Sequence, residues 1–130
     1  MKTITTWKKN QEFEAEHDGN FIKMDGDKKN GHGPKALLLS GLAGCSGIDV
    51  VDILHKMKVA FSFFSIEVEA EQSDDHPKVF TQINMIFHLK SDAKNEEKIR
   101  KAIDLSLEKY CGVSAMLRKN SPINYQVKLK

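Results

Sequence analysis

The feature that most constrains the fold is an uncharged run of thirteen residues from Ala36 to Ile48. Pro34 precedes it and suits the first turn of a helix, where the N–H that proline lacks would have no intrahelical partner. A helix that spans a bilayer needs about 20 apolar residues. The run therefore predicts a central helix, buried on nearly all sides, that continues towards Met57.

Three glycines, Gly41, Gly44 and Gly47, recur at every third position within this run. A glycine inside a helix costs about 1 kcal/mol relative to alanine, so this spacing requires an explanation. Either another backbone approaches the helix closely at these positions, or the helix breaks near Gly44 and restarts. In both cases Cys45 lies at the unusual point.

Strand patterns surround the central helix on both sides. Three short strands are predicted at 3–8, 11–17 and 20–24, with Asp18-Gly19 as a two-residue hairpin turn. Alternating apolar residues predict an antiparallel hairpin of two further strands, at 60–72 and 78–89. The last strand is predicted at 123–130.

A second helix is predicted between the hairpin and the last strand. Ser91 or Asp92 caps its first turn, and Cys111 ends it, with Gly112 in the left-handed conformation. A short helix follows at 113–118. The buried stripe of the second helix is predicted to comprise Ile99, Ala102, Ile103, Leu107 and Tyr110. The order β-β-β-α-β-β-α-α-β predicts a single α+β domain over residues 1–130.

Composition excludes several classes of function. Hydrophobic residues make up 40% of the chain and charged residues 29%, which argues against disorder. The net charge of +2, with both signs interleaved, gives no support for a nucleic-acid partner.

No signal peptide or membrane segment is predicted, so we expect a cytoplasmic protein. Asp49 and Asp52 are interpreted as surface charges on one helix face.

No metal or cofactor site is predicted from the sequence. Zinc sites usually show paired ligands at short spacing, and no phosphate-binding glycine loop follows a strand. The five histidines lie on separate predicted elements: His17, His32, His55, His76 and His88.

The two cysteines are the candidate reactive groups, and each has two interpretations. Cys45 is either a nucleophilic thiol or a small hydrophobic residue in a crowded helix. Cys111 is either a resolving thiol, which forms a disulfide with a sulfenic acid on Cys45, or a free thiol at a helix end. Spacing alone does not show that the sulfurs meet, because a disulfide requires Cα atoms within roughly 7 Å.

The motifs around these cysteines resemble the OsmC/Ohr family of cysteine-dependent hydroperoxide reductases, and most closely its YhfA-like branch. One motif runs from Gly33 through Leu-Ala-Gly-Cys-Ser-Gly to Val51, and the other from Asp104 through Tyr-Cys-Gly to Val113. The order of elements agrees along nearly the whole chain. The resemblance implies an OsmC-like fold in an interwoven homodimer, with N-terminal strands paired between subunits and the sites at the subunit interface.

The resemblance also implies an activity in oxidative stress defence. Cys45 would be the peroxidatic thiol that attacks an organic hydroperoxide or hydrogen peroxide, and Cys111 would be the resolving thiol. A small dithiol or a dihydrolipoyl protein would then reduce the disulfide. No cofactor, nucleic acid or membrane is implied.

Three positions depart from the pattern of organic hydroperoxide resistance enzymes in this family. Those enzymes activate the thiolate with an arginine from the N-terminal strands, whereas the only arginines here are Arg100 and Arg118. Their glutamate after the helix proline corresponds to Lys35, which becomes a possible thiolate-stabilising cation. About ten helical residues, or roughly 15 Å, separate it from Cys45, so a solvated lysine is the alternative. Cys-Gly also replaces their usual Cys-Pro at Cys111.

These departures support a second hypothesis from another class of function. The chain would then be a dimeric OsmC-like ligand-binding or redox-sensing module with little peroxidase turnover.

Overall fold

The computed structural model of the chain describes residues 1–130 and contains six strands and three α-helices in the predicted order. The strands form two three-stranded sheets. This arrangement confirms the predicted α+β fold. The chain divides into two units, residues 1–38 and residues 39–130. The single domain over residues 1–130 stays a prediction.

The first unit contains an antiparallel meander of three strands. They are β1 (Ile4–Lys9), β2 (Glu12–His17) and β3 (Asn20–Asp25). Asp18 and Gly19 both have positive φ, of 49° and 80°, as the predicted two-residue hairpin turn requires. The predicted strand positions are therefore correct to within one residue at each end.

One face of this sheet is apolar and exposed. Trp7 lies opposite Phe13, and Phe13 opposite Met24, so their side chains share that face. Trp7 is 61% exposed, and Ile22 on the same face is 50% exposed. Large exposed apolar patches are typical of surfaces that contact another chain.

Asp25 organises the loop that follows β3. Its carboxylate, only 3% exposed, accepts backbone N–H bonds from Asp27 at 2.9 Å, Asn30 at 3.0 Å and Lys29 at 3.2 Å. The hydrogen bonds from Asp27 and Asn30 lower the pKa of Asp25 below its ordinary value of 3.8, against the opposing effect of burial. The loop therefore depends on the ionised carboxylate.

We expect this carboxylate to make the protein acid-sensitive. Because the folded-state pKa of Asp25 is depressed, its contribution to stability is fully present above pH 3.8 and is lost as the pH falls through the lower folded-state value. An Asp25→Asn variant should be less stable at pH 7 and should lack this part of the acid transition. Urea denaturation of both proteins between pH 7 and pH 2 measures the difference. Parallel stability curves would contradict the prediction.

The central helix α1 runs without a break from Pro34 to Lys56. The alternative in which it breaks near Gly44 is therefore wrong. A Cβ added at Gly41 or Gly44 would meet nothing within 4 Å, whereas one at Gly47 would lie 3.3 Å from the Ile66 Cδ1 atom. Of the three helix glycines only Gly47 is approached closely, and there the neighbour is a side chain.

Burial of α1 is confined to one stripe. Its buried residues recur at every fourth position: Leu42, Ser46, Val50 and Leu54. On the opposite side Ile48 is 67% exposed, and Leu38, one turn before the stripe begins, is 51% exposed. The prediction of burial on nearly all sides is therefore wrong for the single chain. The sheet formed by the last three strands, together with the second helix, covers only one side of α1.

By length and composition alone, α1 also passes as a membrane span. It has 23 residues, and its most apolar 18-residue window has a mean hydropathy of 1.7. The uncharged run of thirteen residues is shorter than this apolar window, because apolar residues continue beyond Asp49. Core helices of soluble proteins pass the same test, so the evidence for a membrane span is weak.

The second sheet consists of β4 (Phe63–Gln72), β5 (Phe80–Lys90) and β6 (Ile123–Leu129). β4 and β5 form the predicted antiparallel hairpin, and β6 lies parallel to β5. Alternate residues of β5 are fully buried on the core face: Ile83, Met85, Phe87 and Leu89. The stripe of α1 and the apolar residues of the second helix belong to the same core.

The connection from β5 to β6 is helical and includes an irregular turn. A 3-10 turn at Ala93–Asn95, capped by Asp92, leads into α2 (Glu96–Leu105). A π-helical turn at Ser106–Tyr110 follows, and then α3 (Gly112–Arg118). Asp92 accepts from the Lys94 N–H at 3.0 Å, so it caps the 3-10 turn that leads into α2. The N-cap of α2 itself is Asn95, which makes no side-chain capping bond, so neither predicted residue caps α2 directly.

Two details of the predicted second helix are wrong. Tyr110 is 55% exposed and does not belong to the buried stripe, because the wider π turn rotates the residues that follow it away from the α-helical phase. Gly112 is not left-handed but starts α3, and the chain changes direction at Cys111, whose backbone is extended with φ −77° and ψ 105°.

Candidate thiol site

The structure brings Cys45 and Cys111 together. Cys45 lies in the middle of α1, next to the buried stripe, and is half-buried, whereas Cys111 joins the π turn to α3 and is only 3% exposed. Both are free thiols. Their side chains interact, since Cys45 acts on the ionisation of Cys111 through hydrogen bonding and through charge. Two thiols that are 66 positions apart in the sequence therefore share one site.

Cys111 is held by the start of α3. Its Sγ atom caps that helix by accepting the Ser114 N–H at 3.3 Å. Burial, and next the hydrogen bond with Cys45, raise the pKa of the Cys111 thiol above its ordinary value of 9.0, and the Ser114 N–H only partly offsets them. Cys111 is therefore protonated at neutral pH, and Cys45 is the more accessible of the two sulfurs.

This difference in environment predicts an order of alkylation. In the reduced protein, iodoacetamide should modify Cys45 before Cys111, because the reagent attacks accessible thiolates. The rate of Cys111 modification should be low at neutral pH and should still be rising with pH beyond 9.0, since its pKa is raised above that value. Peptide mass mapping of short labelling reactions between pH 6 and pH 10 measures both rates. Faster labelling of Cys111 at pH 7 would contradict the prediction.

In the π turn, the carbonyl groups of Ser106 and Leu107 accept hydrogen bonds from donors other than those of a regular α-helix. The Cys111 N–H donates to the Ser106 carbonyl at 2.7 Å. The Leu107 carbonyl accepts from the Ser114 hydroxyl at 3.2 Å and also from the Arg118 guanidinium. Because both carbonyls have hydrogen-bond donors, the π turn is a stable part of the fold. It places Cys111 against α1.

A buried polar cluster lies beside the thiols. The Ser106 hydroxyl is 3.0 Å from both the Ser46 Oγ atom and the Asp49 Oδ2 atom. Asp49 is therefore half-buried and bonded, so its interpretation as a surface charge is wrong, whereas Asp52 is exposed. Ser46 and Ser106 were missed by sequence reasoning. Their only signal is the position of Ser46 directly after Cys45 and of Ser106 within the second cysteine motif.

An apolar groove of 530 Å³ lies along α1 and β4. Gly44 and Gly47 open it, because they carry no side chain, and Phe64 and Ile66 form its opposite wall. Gly44 is the direct neighbour of Cys45 in the chain. The groove therefore adjoins the helix segment that carries the accessible thiol.

The remaining candidate residues are Lys35 and the two arginines. Lys35 is in the first turn of α1, ten residues before Cys45 along the helix, and its role as a thiolate-stabilising cation stays a prediction. Arg100 contacts Glu96 at 3.4 Å, and Arg118 donates to the π turn. No group of three histidine, cysteine or carboxylate side chains is arranged to hold a metal ion.

Comparisons with known proteins agree with this architecture. The profile of the OsmC-like protein family matches residues 26–126. Protein YhfA of Escherichia coli K12 is 33% identical, over 98% of either chain. A crystal structure of an OsmC-like protein from Mycoplasma pneumoniae superposes with a TM-score of 0.86 at 23% identity, covering 98% of this chain and 95% of that one.

A more distant structure shares the fold alone. The organic hydroperoxide resistance protein OhrB of Bacillus subtilis superposes with a TM-score of 0.71 at 16% identity, covering 98% of either chain. The extent of the family match and the identity to YhfA decide the classification, and the chain belongs to the OsmC-like protein family.

Proposed function

We propose that the protein is a cytoplasmic thiol-dependent hydroperoxide reductase with a role in oxidative stress defence. The observation that carries this proposal is the interaction of the half-buried Cys45 with the buried Cys111, which come from different elements. Family membership and the fold shared with hydroperoxide resistance proteins support the same class of reaction.

The reaction has three balanced steps. The Cys45 thiolate attacks the outer peroxide oxygen, the O–O bond breaks, and the products are Cys45 sulfenic acid and an alcohol, whose proton comes from water. Cys111 then attacks the Cys45 sulfur, and a disulfide and water form. A small dithiol or a dihydrolipoyl protein reduces this disulfide by two-electron exchange and becomes a disulfide itself.

The environments of the two sulfurs suit these roles. Cys45 is the more accessible to a peroxide, and the adjoining groove is lined mainly by apolar side chains. Cys111 is kept protonated by burial and by Cys45, so it is protected from direct oxidation until the sulfenic acid forms next to it.

We also infer that the working form is a homodimer. The exposed apolar face of the β1–β3 sheet and the exposed Leu38 and Ile48 of α1 supply surface for a second copy. Such a partner would cover the side of α1 that the single chain leaves open. Sedimentation at twice the chain mass of 14.7 kDa supports the inference, and a monomer would contradict it.

The test of the enzymatic proposal is a steady-state assay with cumene hydroperoxide and a dithiol. We expect peroxide consumption that saturates with peroxide, together with a transient Cys45–Cys111 disulfide that intact mass and peptide mapping detect. A rate no higher than that of an equal concentration of free cysteine would overturn the proposal.

A specific observation favours a second candidate function, binding of an apolar ligand. The partners of the two arginines include Glu96 and the Leu107 carbonyl but not Cys45, and an open groove of 530 Å³ lies along the helix that carries Cys45. A binding module should enhance the fluorescence of an apolar dye and show little dithiol-supported turnover. Rapid turnover would exclude it.

A further inference from the structure

The cluster of Ser46, Asp49 and Ser106 has no part in the reaction steps above, yet it lies at the contact between the two cysteine-bearing segments. Ser46 and Ser106 are both fully buried. Ser106 starts the π turn, and the other two residues belong to α1. The three residues therefore form a polar bridge between α1 and the π turn, whose contact is otherwise apolar.

The number of available protons determines which group donates and which accepts in this cluster. The Ser106 hydroxyl has one proton, and it has three acceptors within reach: the Asp49 carboxylate and the Ser46 hydroxyl, each at 3.0 Å, and the Ser46 carbonyl at 3.5 Å. The carboxylate is the strongest acceptor, so Ser106 donates to Asp49 and accepts from the Ser46 hydroxyl. Ser106 thereby binds α1 through a charge-assisted hydrogen bond.

The bridge acts directly on the position of Cys111. The Ser106 carbonyl accepts the Cys111 N–H at 2.7 Å, and the Cys111 sulfur is fixed at its other side by the Ser114 N–H. On α1, Ser46 directly follows Cys45. Ser106 is therefore bonded through its hydroxyl to the residue next to Cys45 and through its carbonyl to the backbone of Cys111.

We propose that Asp49 and Ser106 are positioning residues that set the effective concentration of the Cys111 thiol at Cys45. The consequence for catalysis, faster disulfide closure after peroxide attack, rests on the proposed function. The positioning itself does not, because it determines how readily the two thiols form a disulfide with any oxidant.

The test is an equilibrium with glutathione. The two protein thiols and one glutathione disulfide form the Cys45–Cys111 disulfide and two reduced glutathione molecules, and peptide mass mapping after acid quenching gives the equilibrium constant. Ser106→Ala and Asp49→Ala should each lower this constant, by up to about tenfold, the value for complete loss of a hydrogen bond to a charged group in the disulfide form. Asp49→Asn, whose amide oxygen still accepts, should recover part of the loss.

Two further variants separate positioning from general destabilisation. The Ser106→Ala/Asp49→Ala double variant should lose no more than the larger single loss, because the two residues act through one bond. Ser121→Ala is the matched control. It also removes a buried hydroxyl, which donates to the Phe80 carbonyl at 2.8 Å, and it should leave the constant unchanged. If Ser106→Ala does not fold, Asp49→Ala and Asp49→Asn provide the test.

The outcomes distinguish this inference from the proposed function. Constants equal to the parent value in Ser106→Ala or Asp49→Ala, additive losses in the double variant, or an equal loss in Ser121→Ala would each overturn the positioning role. Absence of peroxide turnover in the parent protein, with these disulfide constants as expected, would overturn only the peroxidase proposal.

Discussion

Cys45→Ser should reduce dithiol-supported peroxide consumption by about a hundredfold or more, because the substitution removes the sulfur that accepts the peroxide oxygen. The hydroxyl that replaces it is a far weaker nucleophile and cannot form a sulfenic acid. The assay follows loss of cumene hydroperoxide with the dithiol in excess.

Cys111→Ser is the matched comparison, since it removes the same kind of atom from the second position. This variant should still consume one equivalent of peroxide and should accumulate a sulfenic acid on Cys45 that dimedone traps. A Cys45→Ser protein that consumes peroxide as fast as the parent would exclude the proposed mechanism. Equal first-turnover losses in both variants would exclude the division of roles.

Phe87→Ala should lower the free energy of unfolding by about 3–5 kcal/mol, the range for removing a buried phenylalanine. Phe87 is fully buried at the centre of β5. Its ring stacks on Phe64 at 6.2 Å between centroids and meets Tyr125 edge-on at 5.9 Å. It therefore connects all three strands of the second sheet, and its removal leaves a cavity that rigid neighbours cannot fill.

Phe63→Ala provides the control for this prediction, because Phe63 is on the adjacent strand but is 47% exposed. Its substitution should cost less than about 1 kcal/mol. Urea denaturation of the three proteins at one concentration measures both effects. Similar losses in the two variants would show that Phe87 does not anchor the core as its contacts indicate.

The order of elements could be predicted because periodicity and turn residues act locally. The Asp18-Gly19 hairpin is found where its sequence requires it. The β4–β5 hairpin likewise forms from alternating apolar residues that share one face. In each case the residues that determine the structure are neighbours in the chain, so the sequence pattern is sufficient.

The errors arose where distant residues decide the outcome. The glycines of α1 left two explanations open, a break near Gly44 or a close backbone neighbour, but the helix is continuous. Tertiary packing of the opposite face stabilises it despite the glycines. The π turn has no periodic signature, since its form depends on Arg118 and Ser114, which satisfy its carbonyls from the next helix. Tyr110 was therefore assigned to the wrong face.

The thiol site was predictable only in part. The two cysteines were identified as candidates, but their proximity follows from the path of the chain between β5 and β6. The role of Asp49 could not be seen either, because its partner Ser106 is 57 positions away and is not an obvious functional residue. Local patterns indicate which groups are reactive, whereas the fold determines which of them meet.

The parallel pairing of β6 with β5 has a consequence for how the site responds to oxidation. The segment that carries Cys111 is tethered at both ends, because each of its flanking strands is hydrogen-bonded into the same sheet. It cannot swing open like a flap. A shift of the sulfur between reduced and oxidised protein therefore has to occur between these two strands, and the π turn directly before Cys111 is the place where a hydrogen-bond register can change to the tighter α-helical one while the sheet stays fixed.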